Sequence, residues 1–296
     1  MTPLRANALA LLAALAWGLG NVSQKTILQD IDSFAANGLT SLIGAFVLLP
    51  LARREARQVL PSQAGSLPLL TKVALLFTLA ATLMQVGYGH TSVTNAGFLV
   101  NTAAVLTPLI ALGFFRQRPP ALIWVASLTT LYGVFNMAGG SWTGVSYGDG
   151  LCLAAALAFA VWTLFVGQHV MRYRRPMQLT VIQLAVCGVV CVALGWGTYG
   201  LPTGAALRAA LPEILFMGVV SKGLAYMLMA VAQQRLTATS VAVLVSAESV
   251  FGAMAAMVLL GEALDATRAL GAFCILIGVI IAASLPAKAE TAAQRV

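Results

Sequence analysis

The stretch Ala13-Ala14-Leu15-Ala16-Trp17 reappears later in the chain as Ala155-Ala156-Leu157-Ala158-Phe159. Alanine and leucine are common in this sequence, so the match matters because further matches follow it in the same order. Seven further residues of the first half recur in the second half at a constant shift of 145 residues. The pairs are Met84 and Met229, Val86 and Val231, Thr94 and Thr239, Leu99 and Leu244, Val100 and Val245, Val105 and Val250, and Ala111 and Ala256. Collinear self-similarity of this kind indicates an internal repeat, which constrains the whole fold.

The composition indicates the solvent in which this repeat folds. Of the 296 residues, 60% are hydrophobic and only 9% are charged, and the mean hydropathy is +0.91. A soluble domain carries about 25% charged residues, so the chain has too few polar side chains to cover a water-soluble globule. The net charge of +8 comes from short clusters of cations between apolar runs. This pattern predicts an integral membrane protein and argues against binding to nucleic acid.

Ten apolar runs are long enough to cross the hydrocarbon core of a bilayer as helices. They are continuously apolar and lack the alternation of lipid-facing strands, so the predicted fold class is all-α integral membrane. The first run lacks a cleavage site and is predicted to be a retained helix. The predicted spans are 6–27, 34–51, 72–89, 96–115, 120–138, 151–170, 177–199, 212–233, 239–260 and 267–285.

The cations sort unequally between the two sides that ten spans create. One side holds only Lys25, Arg208 and Arg268, and Lys222 lies inside the eighth span. Short cytoplasmic loops retain Lys and Arg, so both termini are predicted to be cytoplasmic. The cytoplasmic side then holds Arg5, Arg53, Arg54, Arg57, Lys72, Arg116, Arg118, Arg172, Arg174, Arg175, Arg235, Lys288 and Arg295.

The repeat divides the ten predicted helices into two halves of five. We expect a first unit over 1–140, a second over 141–285 and a disordered cytoplasmic tail over 286–296, with the halves joined around Gly139 to Gly148. Because five is odd, the second half must insert upside down relative to the first. Inverted repeats recur in secondary transporters, where two similar halves exchange conformations and open one site alternately to each side. They also occur in channels, and we favour a transporter.

Three motifs of this layout resemble a known family, the EamA-type members of the drug/metabolite transporter superfamily. They are the Ala-Leu-Ala-Trp17-Gly18 opening of the first helix, its counterpart Ala-Leu-Ala-Phe159-Ala160, and the Leu259-Leu260-Gly261-Glu262 ending of the ninth helix. The matching end of the fourth helix, Phe114-Phe115-Arg116-Gln117, departs from the pattern. The resemblance covers nearly the whole chain and is strongest to amino-acid exporters of a bacterial inner membrane. It implies efflux of aromatic and other neutral amino acids, with the first, third, fourth, sixth, eighth and ninth helices around a central cavity.

Two charged residues lie near the middle of predicted spans, Lys222 in the eighth and Glu248 in the ninth. Charges at membrane depth are costly and usually face a bundle interior or a water-filled cavity. Lys222 is a candidate for attracting a substrate carboxylate, and Glu248 for exchanging a proton. Two alternatives stay open: the two residues neutralise each other as a structural pair, or Lys222 snorkels towards an interface.

The remaining candidate site residues are aromatic or amide side chains on helix faces. Asn side chains both donate and accept hydrogen bonds, as a zwitterionic substrate requires, and aromatic rings stack on side chains and attract ammonium groups. The alternatives are amides that join helices and rings in interfacial belts. Pro108 is a candidate hinge. The substrate-binding candidates in this group are Trp17, Asn21, Tyr88, Asn101, Trp162 and Tyr226.

The sequence offers no pattern for a cofactor or for a metal site. The chain has only two histidines and lacks a Walker loop for ATP, and its four cysteines, Cys152, Cys187, Cys191 and Cys274, are predicted to be small buried hydrophobes. The expected partners are a small-molecule substrate and the lipid bilayer, with a monomer favoured over an oligomer. The alternatives to amino-acid export are efflux of drug-like cations or other small metabolites, a membrane-embedded enzyme, and a lipid flippase.

Overall fold

A computed structural model describes residues 1–58, 62–140, 146–260 and 265–286. In these ranges the regular secondary structure is entirely helical. Nine helices within them are long and apolar enough to cross a membrane, and a further apolar helix, Ala121–Met137, has 17 residues. The prediction of an all-helical fold is therefore confirmed for the described residues, and the nine long apolar helices are consistent with a membrane protein.

The helices are numbered here in chain order. Short 3₁₀ and π segments join some of them, at Ile27–Gln29 and Met217–Leu224 respectively. The α-helices are α1 Pro3–Thr26, α2 Ser33–Ala56, α3 Leu67–His90, α4 Val93–Asn101, α5 Ala103–Gly113, α6 Ala121–Met137, α7 Tyr147–Tyr173, α8 Pro176–Tyr199, α9 Gly204–Ala209, α10 Leu211–Phe216, α11 Ala225–Ala232, α12 Ala238–Val245, α13 Glu248–Leu260 and α14 Ala266–Ser284.

Side-chain caps and prolines explain where several of these helices begin. The Asp32 carboxylate accepts hydrogen bonds from two backbone N–H groups in the first turn of α2, and Ser146 forms a reciprocal capping box with Asp149 at the start of α7. Proline stands in the first turn of α3 and of α8, where its missing N–H costs nothing. Because Pro68 starts rather than interrupts a helix, α3 begins at Leu67, five residues before the predicted boundary.

Three of the predicted spans are not the continuous α-helices that the sequence suggested. The fourth span is divided at Thr102 into α4 and α5, and the ninth is divided after Val245 into α12 and α13. The eighth contains the π-helical segment Met217–Leu224 between α10 and α11. Pro108, the predicted hinge, lies inside α5, six residues after the division. Apolar run length alone cannot reveal these divisions, since they leave hydropathy unchanged.

Close packing between helices depends on glycine at two places. A Cβ atom on Gly133 in α6 would lie 2.7 Å from the carbonyl oxygen of Gly271 in α14, and one on Gly271 would lie 2.6 Å from that of Gly133. The contact of α2 with α8 is reciprocal as well, because Gly38 packs against Val192 while Gly188 packs against Leu42. Small residues allow helix backbones to approach closely in membranes.

Large apolar side chains cover the outside of the bundle. Phe46, Phe114 and Val258 are 77%, 86% and 82% exposed, which suits contact with lipid acyl chains rather than water. Inside, small residues such as Ala6, Ala10 and Ala13 are fully buried where α1 packs against its neighbours. The predicted features that lie outside the described residues are part of the joint between the halves at 141–145, the Gly261-Glu262 motif end, and the tail over 287–296.

Candidate functional site

A cavity lies among the helices near the middle of the bundle. Its empty space, including its open mouth, is about 810 Å³, which falls in the range of small-molecule binding clefts. Residues of α1, α3, α4, α5, α7, the π segment, α11, α12 and α13 line it. The lining residues are Trp17, Gly20, Asn21, Gln24, Met84, Tyr88, Val100, Asn101, Ala103, Ala104, Thr107, Phe159, Trp162, Thr163, Ser221, Tyr226, Met229, Ala242, Val245, Ser246 and Glu248.

An aromatic cluster forms one wall of this cavity. The ring of Tyr226 packs edge-on against Trp17, Trp162 and Phe77, with centroids 4.9, 5.6 and 4.8 Å away. Both indole N–H groups are used within the protein: Trp17 Nε1 donates to the carbonyl oxygen of Ser221 and Trp162 Nε1 to Gln183 Oε1, each at 2.9 Å. These bonds fix the rings in place, so their faces and edges remain available to an apolar or cationic ligand.

The carboxylate that lines the cavity lies where two helices are divided. Asn101 is the last residue of α4 and Glu248 is the first residue of α13. Asn101 Nδ2 donates to Glu248 Oε1 at 2.9 Å and to the carbonyl oxygen of Gly97 at 2.9 Å. A carboxylate at a helix N-terminus is favoured by the unpaired N–H groups there. Both oxygens of a carboxylate accept hydrogen bonds, so Glu248 retains acceptor capacity beyond its bond to Asn101.

Amide side chains of α1 and α3 form hydrogen bonds with each other beside the cavity. Gln24 Nε2 donates to Gln85 Oε1, and Gln85 Nε2 donates back to the carbonyl oxygen of Gln24 at 3.3 Å. Next to them, Lys25 Nζ donates to the carbonyl oxygen of Tyr88 at 2.6 Å and to that of Thr91 at 3.1 Å. Lys25 thus caps the end of α3 and holds the Tyr88 backbone, while the Tyr88 ring lines the cavity.

Lys222 does not line the cavity, contrary to the sequence-based expectation. Its side chain is 2% exposed, and Nζ donates to Asn37 Oδ1 of α2 at 2.8 Å. Nζ lies 5.6 Å from the ring centre of Phe77 and 5.9 Å from that of Tyr226. Of these two rings, that of Tyr226 lines the cavity, whereas Phe77 and Lys222 do not. The physical reason is the π segment around Lys222, which changes the face of the helix on which residue 222 lies.

The proposed pairing of Lys222 with Glu248 is not found either. The partner of Lys222 is Asn37, and the partner of Glu248 is Asn101. Asn37 Nδ2 also lies 3.5 Å from the sulfur of Cys187 and 3.3 Å from that of Cys191. Lys222 therefore lies in a second polar compartment formed by side chains of α2, α3, α8 and the π segment, to which α3 contributes the Thr82 hydroxyl. Sequence reasoning missed Asn37, although an amide inside an apolar span is itself a signal.

The other predicted site residues all line the cavity. Trp17, Asn21, Tyr88, Asn101, Trp162, Tyr226 and Glu248 come together from six of the predicted spans. The sequence did not single out the hydroxyl groups of Thr107, Thr163, Ser221 and Ser246, which lie among them. Ser and Thr are frequent in membrane helices because they bond to the preceding turn, so their presence alone is a weak signal.

The cysteines are distributed between core and periphery. Cys152, Cys187 and Cys191 are buried as predicted, whereas Cys274 on α14 is only partly buried because that helix lies at the outside of the bundle. Within the described ranges, no three His, Cys, Asp or Glu side chains are grouped to hold a metal ion.

Comparison with known proteins places this architecture in a family. The profile of the EamA-like transporter family matches the chain twice, over residues 4–138 and 146–284. A protein of Archaeoglobus fulgidus named as an uncharacterized transporter is 26% identical over 273 residues, which is 91% of this chain and 83% of that protein. A protein of the same name from Clostridium kluyveri is 25% identical over 302 residues, covering 95% of this chain and 93% of that protein.

The fold also matches a solved structure. One crystal structure of a protein superposes with a TM-score of 0.74 over 94% of this chain and 96% of that chain, at 18% identity. At this identity the likeness concerns the fold alone. The two profile matches together cover nearly all the described helices. The chain is therefore a multi-pass membrane transporter that belongs to the EamA-like transporter family.

Proposed function

We propose that the protein is a secondary transporter that exports amino acids, aromatic and other neutral ones, across a bacterial inner membrane by alternating access. The observation that carries this proposal is the Glu248 carboxylate facing a cavity walled by Trp17, Trp162 and Tyr226. A carboxylate and aromatic faces both attract an ammonium group. Met84, Val100, Phe159 and Met229 supply an apolar surface for the substrate side chain.

The mechanism proposed requires ten spans in two inverted halves, and three observations support that arrangement. The contacts of α6 with α14 and of α2 with α8 are reciprocal, as expected of two related units that meet at a twofold axis. The fourth span is divided at Thr102 and the ninth at Ala247, and these two residues occupy equivalent positions in the repeat, 145 residues apart. The family profile matches each half separately.

Discontinuous helices near mid-membrane are where many transporters bind their substrates. Here both divided helices meet at the cavity, through Asn101 and Glu248. We therefore assign substrate binding to the cavity, with Glu248 as the ammonium ligand and Trp17, Trp162, Tyr88 and Tyr226 as the aromatic surface. Asn21 and Asn101 supply amide groups for the polar end of the substrate.

A second candidate function is efflux of drug-like organic cations. The observation that favours it is the sequestration of Lys222: of the described residues that line the cavity, Glu248 alone carries a formal charge. Such a cavity suits a ligand with a positive charge and no carboxylate.

The distribution of Lys and Arg supports cytoplasmic termini for either function. We take the protein to act as a monomer because each half contributes to one central cavity.

Uptake into proteoliposomes that contain only the purified protein tests the proposal. Radiolabelled L-phenylalanine is expected to show saturable uptake that unlabelled L-tryptophan competes away. A matched competitor is 2-phenylethylamine, which keeps the ring and the ammonium group but lacks the carboxylate. Competition by both compounds fits amino-acid export; no L-phenylalanine uptake, together with saturable transport of the amine, would replace it by cation efflux.

A further inference from the structure

Lys222 carries a buried amine without a carboxylate partner among the described residues, and the nearest ionisable groups are the thiols of Cys187 and Cys191, which contact the same Asn37 amide. Its hydrogen-bond partner is the neutral Asn37 amide, at 2.8 Å, and the nearby aromatic rings offer only cation–π contacts. In the part of the chain that the structure describes, no carboxylate forms an ion pair with Nζ. Burying an ammonium group without an anion costs several kcal/mol, so this residue is expected to serve a purpose other than stability.

The segment that carries Lys222 has a helical register different from that of its neighbours. It is a π-helix, Met217–Leu224, within an otherwise α-helical span. In a π-helix the backbone hydrogen bonds join residues i and i+5, whereas in an α-helix they join residues i and i+4. Conversion of a π turn into an α turn therefore shifts the following residues by one position in the helix, which rotates their side chains by about 100° around the helix axis. Two bonds tie the segment to α1: Trp17 Nε1 donates to the Ser221 carbonyl oxygen at 2.9 Å, and Ser221 Oγ donates to the Ala16 carbonyl oxygen at 3.3 Å.

The repeat indicates which conformation the segment adopts after rearrangement. At the shift of 145 residues Lys222 corresponds to Phe77. The match of Trp17 with Phe159 sets a shift of 142 residues for the first helix of each half, so Trp162 corresponds to Gly20. Phe77 lies in α3, which is a regular α-helix, and its ring centre is 5.7 Å from that of Trp162. If the two halves exchange conformations, the π segment takes the α-helical form of α3. The contact of Phe77 with Trp162 then becomes an approach of Lys222 to Gly20 of α1, which lines the cavity.

We propose that Lys222 is a specificity-determining residue, which leaves the Asn37 compartment in a second conformation and binds the carboxylate of the substrate at the cavity. This inference rests on the proposed function and deepens it, since Glu248 would hold the ammonium group and Lys222 the carboxylate of one zwitterion. The protein then distinguishes amino acids from the corresponding amines through one side chain. The ring of Tyr226, which contacts both compartments, moves aside when Lys222 enters the cavity.

Equilibrium binding of a matched pair of ligands tests the inference. Quenching of tryptophan fluorescence in detergent-solubilised protein gives the Kd of L-phenylalanine and of 2-phenylethylamine. Lys222→Met is expected to raise the Kd of L-phenylalanine at least about tenfold, as loss of a charge-assisted hydrogen bond does, and to leave the Kd of the amine unchanged. Lys222→Arg, which keeps the charge, is expected to preserve the preference for the amino acid.

The outcomes separate this inference from the proposed function. Wild-type protein that binds neither ligand would overturn both. Wild-type binding of L-phenylalanine that Lys222→Met leaves unaltered would overturn the inference alone, and so would an equal loss of affinity for the two ligands.

A second measurement applies even where Lys222→Met fails to fold. Lys222→Cys is placed in a chain whose four native cysteines are replaced by alanine, and that cysteine-free chain is the control. Position 222 is expected to react with a membrane-impermeant thiosulfonate during transport of 2-phenylethylamine, whose binding does not require the Lys222 ammonium group, because the second conformation brings this position to the cavity. Complete protection of the introduced thiol during transport would contradict the proposed movement.

Discussion

Asn101 ends α4 and Glu248 begins α13, and the amide of the first donates to the carboxylate of the second at 2.9 Å. This bond joins two apolar spans that are both interrupted within their length, one from each half of the chain. It holds a carboxylate in the cavity that Trp17, Trp162 and Tyr226 also line. Under the proposed function, the two divided helices supply the carboxylate that binds the ammonium group of the ligand.

Replacing Glu248 by glutamine tests this role directly. The change keeps the size of the side chain and its ability to accept from Asn101, but removes the negative charge. We expect the Kd of both L-phenylalanine and 2-phenylethylamine to rise at least about tenfold, because both ligands carry the ammonium group. Tryptophan quenching measures the two constants, and unchanged affinity for both ligands would exclude Glu248 as the ammonium ligand.

Glu55 provides a matched carboxylate away from the cavity. It is buried at the end of α2, and its two oxygens accept from the backbone N–H groups of Met177 and Gln178 at 3.2 and 2.8 Å. Glu55→Gln leaves one acceptor oxygen for two donors at the start of α8. We expect a loss of about 1 kcal/mol of stability, typical of a removed helix cap, and no change in ligand affinity. Thermal unfolding measures the first, and an unaltered Tm would show that this cap is dispensable.

Lys222→Met is expected to stabilise the protein. The substitution keeps a similar unbranched side chain and removes an ammonium group whose hydrogen-bond partner is a neutral amide. The cost of leaving Asn37 Oδ1 without a donor is about 1–3 kcal/mol, less than the several kcal/mol of the buried charge. Thermal unfolding in detergent is expected to give a higher Tm for the variant than for the wild type. A lower Tm would mean that Lys222 supports the fold.

The apolar pattern of the sequence predicts where the spans lie but not where their helices are divided. Run length locates the spans because burial in lipid requires about 20 apolar residues in a helix. It does not report the divisions at Thr102 and after Val245, or the π segment, since these alter hydrogen bonding and leave the composition of the run unchanged. The cavity residues on regular helices were found by spacing, whereas Lys222 was misplaced because spacing assumes a constant α-helical register.

The glycine contact of α6 with α14 allows a prediction about the fold. A Cβ atom on Gly133 would lie 2.7 Å from the Gly271 carbonyl oxygen, so Gly133→Ala forces the two helices apart. We expect a loss of about 1–3 kcal/mol, as for other overpacked sites. Gly197→Ala in α8 is the control, since no atom lies within 4 Å of its added Cβ. Equal melting temperatures for the two variants would contradict the close approach of α6 and α14.

Counterflow in proteoliposomes tests the central claim, that this cavity is an alternating-access site for amino acids. Vesicles are loaded with unlabelled L-phenylalanine and diluted into a trace of the labelled compound. A carrier that exchanges one bound substrate for another is expected to accumulate label transiently above its external concentration, and Glu248→Gln is expected to abolish this overshoot. Label that only equilibrates, at the same rate in loaded and empty vesicles, would contradict alternating access and indicate a channel.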